Sequence, residues 1–359
     1  MSLPTTFLVV FGTRPSAIKL APVVKALKER KADVKVVCTD QHTFLATQAC
    51  ESVGLTVDEH LNIFNEGQTL SEIVALTLLG LPKFLDHRDA VVTVGDTSSA
   101  VGAALAGFHA QVPVAHVEAG LRSYDRDDPF PEEANRVIVD ALSTWHFAPT
   151  ATAAENIGDE MHAGNVRVVG NTVIDAVRSV PDCDRIMPEG EYILVTAHRR
   201  ENWPRMDVLC GAVADVAKQS GLRVAWVHHG NPSLRRRIEF LLHDDQHVFF
   251  MPPMPYHKFL GLVRHSALVM SDSGGVQEEC AALGRHCVVM RDTTERGEAI
   301  AAGIAVLAGV DRDRIAKAAM GRLAMEQPKP SDCFGDGRAA ERIADILTTG
   351  HTPLGDWLP

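Results

Sequence analysis

At 359 residues the chain is longer than one ordinary core needs and fits two domains of typical size. Hydrophobic residues make up 46% and charged residues 23%, the balance of a soluble globular protein, and a formal net charge of −11 argues against nucleic-acid binding through bulk electrostatics. No apolar run reaches the roughly 18 residues a membrane helix needs, and Ser2-Leu3-Pro4-Thr5-Thr6 lacks the basic region and apolar core of a signal peptide. The seven cysteines (Cys38, Cys50, Cys183, Cys210, Cys280, Cys287, Cys333) are scattered, with no CxxC pair, so neither structural zinc nor a disulfide framework is expected. They read as reduced core residues of a cytoplasmic protein.

In chain order, Phe7–Phe11 reads as a buried strand ending at Gly12, and a helix pattern follows from about Ser16 to Lys31. Val34–Cys38, Ala90–Val94, Val112–Val117 and Trp145–Ala148 are further strands. The stretch Ser179-Val180-Pro181-Asp182-Cys183-Asp184, continuing to Pro188-Glu189-Gly190, is rich in Pro and Asp and breaks the rhythm. It then restarts with Tyr192–Thr196, Arg223–Val227, Val248–Met251, Leu268–Ser271 and Cys287–Met290, and a last helix pattern covers about Gly337 to Leu347. Strands alternating with helices predict an α/β protein built on parallel sheets. Two such series predict two Rossmann-like doubly wound domains, residues 1–178 and 179–336, with 337–359 a C-terminal helix and tail that could pack back on the first.

Ligands of doubly wound sheets bind beyond the carboxyl ends of the strands. After the first strand, Gly12-Thr13-Arg14-Pro15-Ser16-Ala17-Ile18-Lys19 offers a tight turn, a helix N-terminus and two cations, which suit an anion; an ordinary strand–helix turn reads equally well. Asp96, in Gly95-Asp96-Thr97, reads as a helix cap or as a functional acid. Glu118 stands one residue past a buried strand, a costly place for a carboxylate unless it is paired. In Pro129-Phe130-Pro131-Glu132-Glu133-Ala134-Asn135-Arg136, Pro131 suits the first helical position, and the acids complement the helix dipole. Acids at several strand ends of one edge also suit proton transfer. In the second half, His198-Arg199-Arg200 leaves a strand directly, a placement that suits a phosphate. Ser271-Asp272-Ser273-Gly274-Gly275 opens a helix with bare backbone N–H groups, a cradle for a diphosphate. The GxGxxG spacing and the Walker lysine are both missing, so neither a dinucleotide nor ATP is favoured.

Together these residues resemble one family. Gly12-Thr13-Arg14-Pro15, Gly95-Asp96-Thr97, His116-Val117-Glu118-Ala119-Gly120-Leu121-Arg122, Pro129-Phe130-Pro131-Glu132-Glu133, His198-Arg199-Arg200-Glu201-Asn202, Asp272-Ser273-Gly274-Gly275 and Arg291-Asp292-Thr293-Thr294-Glu295-Arg296 look like the non-hydrolysing UDP-N-acetylglucosamine 2-epimerases, in the family's order and over nearly the whole chain. The resemblance implies a GT-B fold, two Rossmann-like domains facing across a cleft, usually as a homodimer. It implies interconversion of UDP-GlcNAc and UDP-ManNAc through elimination of UDP to 2-acetamidoglucal, with no metal and no cofactor. Asp96, Glu118, Glu132 and His198 match the family's catalytic positions. Arg14, Lys19 and Arg136 match substrate or phosphate contacts, and Ser273, Gly274 and Gly275 the diphosphate loop. Glu279 matches the carboxylate on the ribose, and Phe259 an aromatic near the uracil. A hydrolysing epimerase, a GT-B glycosyltransferase and an inactive UDP-sugar sensor are the rival readings; Pro15, Ile18 and Lys19 favour the non-hydrolysing branch. One departure stands out. Many bacterial members carry a second, activating UDP-GlcNAc site, built on a Gln-His-Arg-Gln-like stretch and an arginine before Gln-Thr-Leu. Here the stretch reads Gln41-His42-Thr43-Phe44, Gly67 precedes Gln68-Thr69-Leu70, and Ser16 replaces the usual acid after Gly-Thr-Arg-Pro.

Overall fold

The computed structural model describes residues 5–41, 43–158, 165–181, 191–228 and 230–357. The chain divides into two compact units, Met1–Val180 with Gly335–Pro359, and Pro181–Phe334. The first holds β1 (Thr6–Phe11), β2 (Asp33–Cys38), β3 (Glu59–His60), β4 (Ala90–Val94), β5 (Val114–Val117), β6 (Trp145–Ala148) and β7 (Val166–Val168). They form one parallel sheet in the order β3-β2-β1-β4-β5-β6-β7. The second unit holds β8 (Tyr192–Thr196), β9 (Arg223–Val227), β10 (Val248–Met251), β11 (Leu268–Ser271), β12 (Cys287–Val289) and β13 (Ala305–Leu307), also parallel, ordered β10-β9-β8-β11-β12-β13. Both are doubly wound α/β sheets of the expected class.

The central strands explain themselves. A parallel strand covered by helices on both faces reads as an unbroken apolar run. Phe7-Leu8-Val9-Val10 and Ile193-Leu194-Val195 are such runs and are fully buried. Each sheet packs its own core, with Leu8, Val91, Ala104 and Val139 in one and Val195, Leu209, Trp226 and Met270 in the other. Against expectation, β5 starts at Val114, because Pro113 has no N–H to give the ladder and joins it only through its carbonyl, which accepts from Val91 N at 2.9 Å. The first helix, Arg14–Glu29, begins two residues earlier than its apolar period suggests, since Thr13 takes the N-cap position and Pro15 is accepted in the first turn.

The helix Ala339–Thr349 belongs to the first unit. The Asp175 carboxylate accepts the amides of Ala340 (2.9 Å) and Ala339 (3.3 Å) at its start, and Arg30 Nε donates to Asp345 at 2.6 Å. Among the described residues no helix is long and apolar enough to cross a membrane. Cys38, Cys50, Cys210, Cys280 and Cys287 are buried free thiols and Cys333 is half-buried; Cys183 lies outside the described residues.

Candidate active site

In the first sheet the strand order reverses between β1 and β4, and the turn beyond β1 is packed hard. A Cβ on Gly12 would sit 2.2 Å from Thr39 Oγ1 and 2.4 Å from Ser99 Oγ, so only glycine fits. That closeness brings the Arg14 helix start beside the ends of β2 and β4. Thr13 and Ser16 share a hydroxyl hydrogen bond of 2.9 Å, which gives Ser16 a buried role of its own.

Glu118, just past β5, adopts φ 64°, a left-handed backbone that costs a residue with a side chain about 1–3 kcal/mol. Its carboxylate is 7% exposed, and the pairing that burial demands is present: Lys19, itself 8% exposed, forms an ion pair with it, and Asn171 Nδ2 donates at 3.0 Å. Beneath it lies the fully buried His116. Its Nδ1 faces Asp140 Oδ1 at 2.6 Å and its Nε2 faces the Gly95 carbonyl at 2.9 Å. Burial disfavours charge on Asp140, but His116, together with Arg122 at 2.6 Å, outweighs it and holds the carboxyl down at about 2.

Asp96 does not cap the next helix. Thr97 does, accepting from Ala100 N, which leaves the Asp96 carboxylate for Arg136, whose Nη2 lies at 2.8 Å and Nε at 3.0 Å. Arg136 is buried and also donates to Glu133 Oε2 at 3.1 Å, while Asn135 Nδ2 holds the Asp96 carbonyl at 2.8 Å. Pro131 stands one place earlier than expected, at the N-cap of the helix Glu132–Leu142, so Glu132 is its first residue. Glu133 does more than complement the dipole, because it accepts the amides of Ser123 (2.9 Å) and Tyr124 (3.1 Å) and thereby fixes the preceding loop.

In the second unit the order reverses between β8 and β11, and the two turns there are tied by one carboxylate. Asp272, fully buried, accepts the amides of His198 (3.0 Å) and Arg199 (2.9 Å) and the Asn202 Nδ2 (3.1 Å). Ser273 takes the N-cap position of the helix Gly274–Leu283, and its side chain makes no capping bond. At Gly274 a Cβ would meet the Arg296 guanidinium carbon at 2.7 Å, so glycine lets Arg296 lie against the helix start, where its Nε donates to the buried Glu278 at 3.0 Å. Apart from the backbone of its own helix turn, no described atom lies within 4 Å of a Cβ built on Gly275. Glu279 is buried one turn along this helix, and Phe259 is buried on the helix Tyr256–His265 packed beside it.

The structure thus brings Lys19 to Glu118 and Arg136 to Asp96 in the first unit, with Arg14 and Glu132 each in the first turn of a helix. His198, Ser273, Gly274, Gly275, Glu279 and Phe259 lie in the second. Reading the sequence missed Asp140 and Asn171. Asp140 lies on the polar face of its helix with Glu133 and Arg136, and it is this polar face that is buried while Val137 and Ile138 are exposed, so the helical period hides it. Asn171 caps the helix Thr172–Ser179 through Oδ1, and nothing in a cap signal tells where the other amide atom points. Among the described residues one group of metal-ligating side chains comes together, Cys38, Asp40 and His60.

A family model described as UDP-N-acetylglucosamine 2-epimerase matches residues 25–348. An Escherichia coli K12 protein named UDP-N-acetylglucosamine 2-epimerase is 38% identical over 97% of this chain and 99% of its own. Two solved structures are similar, each 34% identical: S. aureus MnaA with UDP (TM-score 0.92, covering 99% of this chain and 100% of that one) and the Neisseria meningitidis UDP-GlcNAc 2-epimerase bound to UDP-GlcNAc (TM-score 0.87, 95% and 99%). With the family model covering most of its length and the Escherichia coli relative 38% identical over nearly the whole of both chains, the chain belongs to the UDP-N-acetylglucosamine 2-epimerase family.

Proposed function

We propose that the protein interconverts UDP-GlcNAc and UDP-ManNAc by eliminating UDP and adding it back. The supporting observation is the pairing of two acids at neighbouring strand ends with separate cations, Glu118 with Lys19 and Asp96 with Arg136. The hydrogen at sugar C2 is not acidic enough for direct removal. In the elimination, a carboxylate takes the C2 proton, the C1–C2 double bond forms, and the C1–oxygen electron pair leaves with UDP. Asp96, Glu118 and Glu132 are the proposed proton-transfer groups. Re-addition with the proton delivered to the other face gives the epimer.

In the second unit, the turn at Ser273, Gly274 and Gly275 presents a helix N-terminus to the diphosphate, and the His198 loop, braced by Asp272, stands next to it to stabilise charge on departing UDP. Glu279 and Phe259 are assigned to the ribose and the uracil, and Arg14 and Lys19 to the substrate side of the first unit. No step of this route calls on a metal or a cofactor. We further propose a homodimer, supported by Leu76, Leu79 and Phe108, exposed on two helices that pack together, Leu70–Gly80 and Ser98–His109.

The test is incubation with UDP-GlcNAc in heavy water, followed by NMR. Deuterium is expected at C2 of both sugar nucleotides. Turnover without exchange at C2 overturns the mechanism, and release of free ManNAc with UDP identifies the hydrolysing branch instead.

A further inference from the structure

The geometry points to a binding site for a soft divalent cation of the zinc class, made by Cys38, Asp40 and His60 at the β2–β3 edge of the first sheet. Cys38 ends β2 and His60 ends β3, and the two residues are register partners across the ladder. Beyond them the backbone is held on both sides: Leu61 N donates to the Cys38 carbonyl at 2.9 Å and Ile63 N to the Thr39 carbonyl at 3.1 Å. Asp40 sits between in a left-handed conformation, φ 60°, which turns its carboxylate back toward the strand ends. There the carboxylate meets His60 Nδ1 at 2.9 and 3.0 Å and accepts the Asn62 amide at 3.2 Å. The thiol sulfur, the carboxylate oxygen and the imidazole nitrogen all lie within 4.8 Å of one another.

Four features fit these atoms to a metal. A zinc ion bonds sulfur at about 2.3 Å and nitrogen or oxygen at about 2.0–2.2 Å, so its ligand atoms stand roughly 3–4 Å apart. The mixed thiolate, imidazole and carboxylate donors suit zinc or cobalt and disfavour calcium and magnesium, which want several oxygens. Cys38 and Asp40 are buried while the His60 side chain is 43% exposed, which leaves an entry on one side. The Asn62 amide on the Asp40 oxygen supplies the outer hydrogen bond that orients a ligating carboxylate. Binding is an exchange: the cation bonds the sulfur, and the thiol proton leaves to solvent. The site lies two strands from the β1–β4 reversal, and the next residue along, Gln41, accepts from Ser99, which packs on the Gly12 turn.

The test is titration of the full chain, stripped with a chelator, with Co²⁺. The expected result is a thiolate-to-cobalt charge-transfer band, which Zn²⁺ then bleaches. Cys38→Ser should abolish that band, and Cys210→Ser, in the other unit, should leave it intact. His60→Ala removes a largely exposed ring without opening the core, and it should weaken Co²⁺ binding by roughly 10-fold or more, at least the scale of a lost supporting contact. Absence of the band in the unaltered protein overturns the proposal. So does a band that survives Cys38→Ser, or an unchanged affinity in His60→Ala.

Discussion

At the level of single residues, the two paired acids differ in what supports them. Asp96 is partly open to solvent, and its partner Arg136 also holds Glu133, so Asp96→Asn leaves the arginine with a carboxylate. Turnover should fall roughly 100-fold or more, the scale of a lost general acid or base, while the melting temperature barely moves. Glu118 is different, because its partner Lys19 is as buried as the glutamate. Glu118→Gln removes that counter-charge, and breaking a buried pair from one side typically costs about 3–5 kcal/mol. This variant should therefore lose both turnover and several degrees of melting temperature. A Glu118→Gln protein as stable as its parent, measured by calorimetry, would show that the ion pair adds nothing to the stability of the fold. His116 adds a lesson about neighbours. The histidine two places before Glu118 is committed to Asp140 and to the Gly95 carbonyl, so the acid-bearing turns after β4 and β5 rest on one buried ring.

At the level of elements, the central strands were legible from their apolar runs, and β4, β6, β8, β9, β10 and β11 begin and end where the pattern does. The short edge strands β3, β7 and β13 were not, because two or three residues carry no readable period. The strand-end turns were legible because the fold class says where ligands bind. The partners were not, since Lys19 and Glu118 are 99 positions apart and only the alignment of β1, β4 and β5 in one sheet brings the segments after β1 and β5 together. The docking of the helix Ala339–Thr349 carries a pH dependence. Burial lifts the Asp175 carboxyl to about 7 despite the amides of Ala340 and Ala339, and Asp336 adds to the rise. A carboxyl raised on folding favours the fold while it stays protonated, and this contribution is lost as pH climbs from about 4 toward about 7. Asp175→Asn cannot ionise, so its stability relative to the parent should improve between about pH 5 and about pH 8 in denaturant melts. A difference that does not change with pH would mean that Asp175 is ionised throughout.

At the level of the whole molecule, the departures from the family bear on regulation. Gly67 stands where an arginine would be, with φ 79°, a backbone that itself disfavours a side chain, and Ser16 is engaged with Thr13. Thr43 and Phe44 replace the arginine and amide of the other stretch; their side chains and His42 lie outside what is described. Each charge-assisted bond lost is worth roughly 1.5–3 kcal/mol, enough to weaken a second UDP-sugar site severely. Initial rates should therefore be hyperbolic in UDP-GlcNAc, and the reverse reaction should start from UDP-ManNAc alone. Sigmoidal rates, or a reverse lag abolished by a trace of UDP-GlcNAc, would sink this expectation and leave the family assignment intact. Sedimentation should meanwhile show a dimer that Leu79→Glu dissociates; a monomeric parent protein would refute the homodimer.

The return of the chain to its first unit at Gly335 has a consequence for synthesis. On the ribosome, residues 181–334 emerge as one uninterrupted stretch and can close their own sheet before the last helix exists. The unit that begins first must wait longest. Until Ala339–Thr349 leaves the exit tunnel, Asp175 has no amides to accept and Arg30 lacks Asp345, so the half bearing Asp96, Glu118 and Glu132 is the last to be finished.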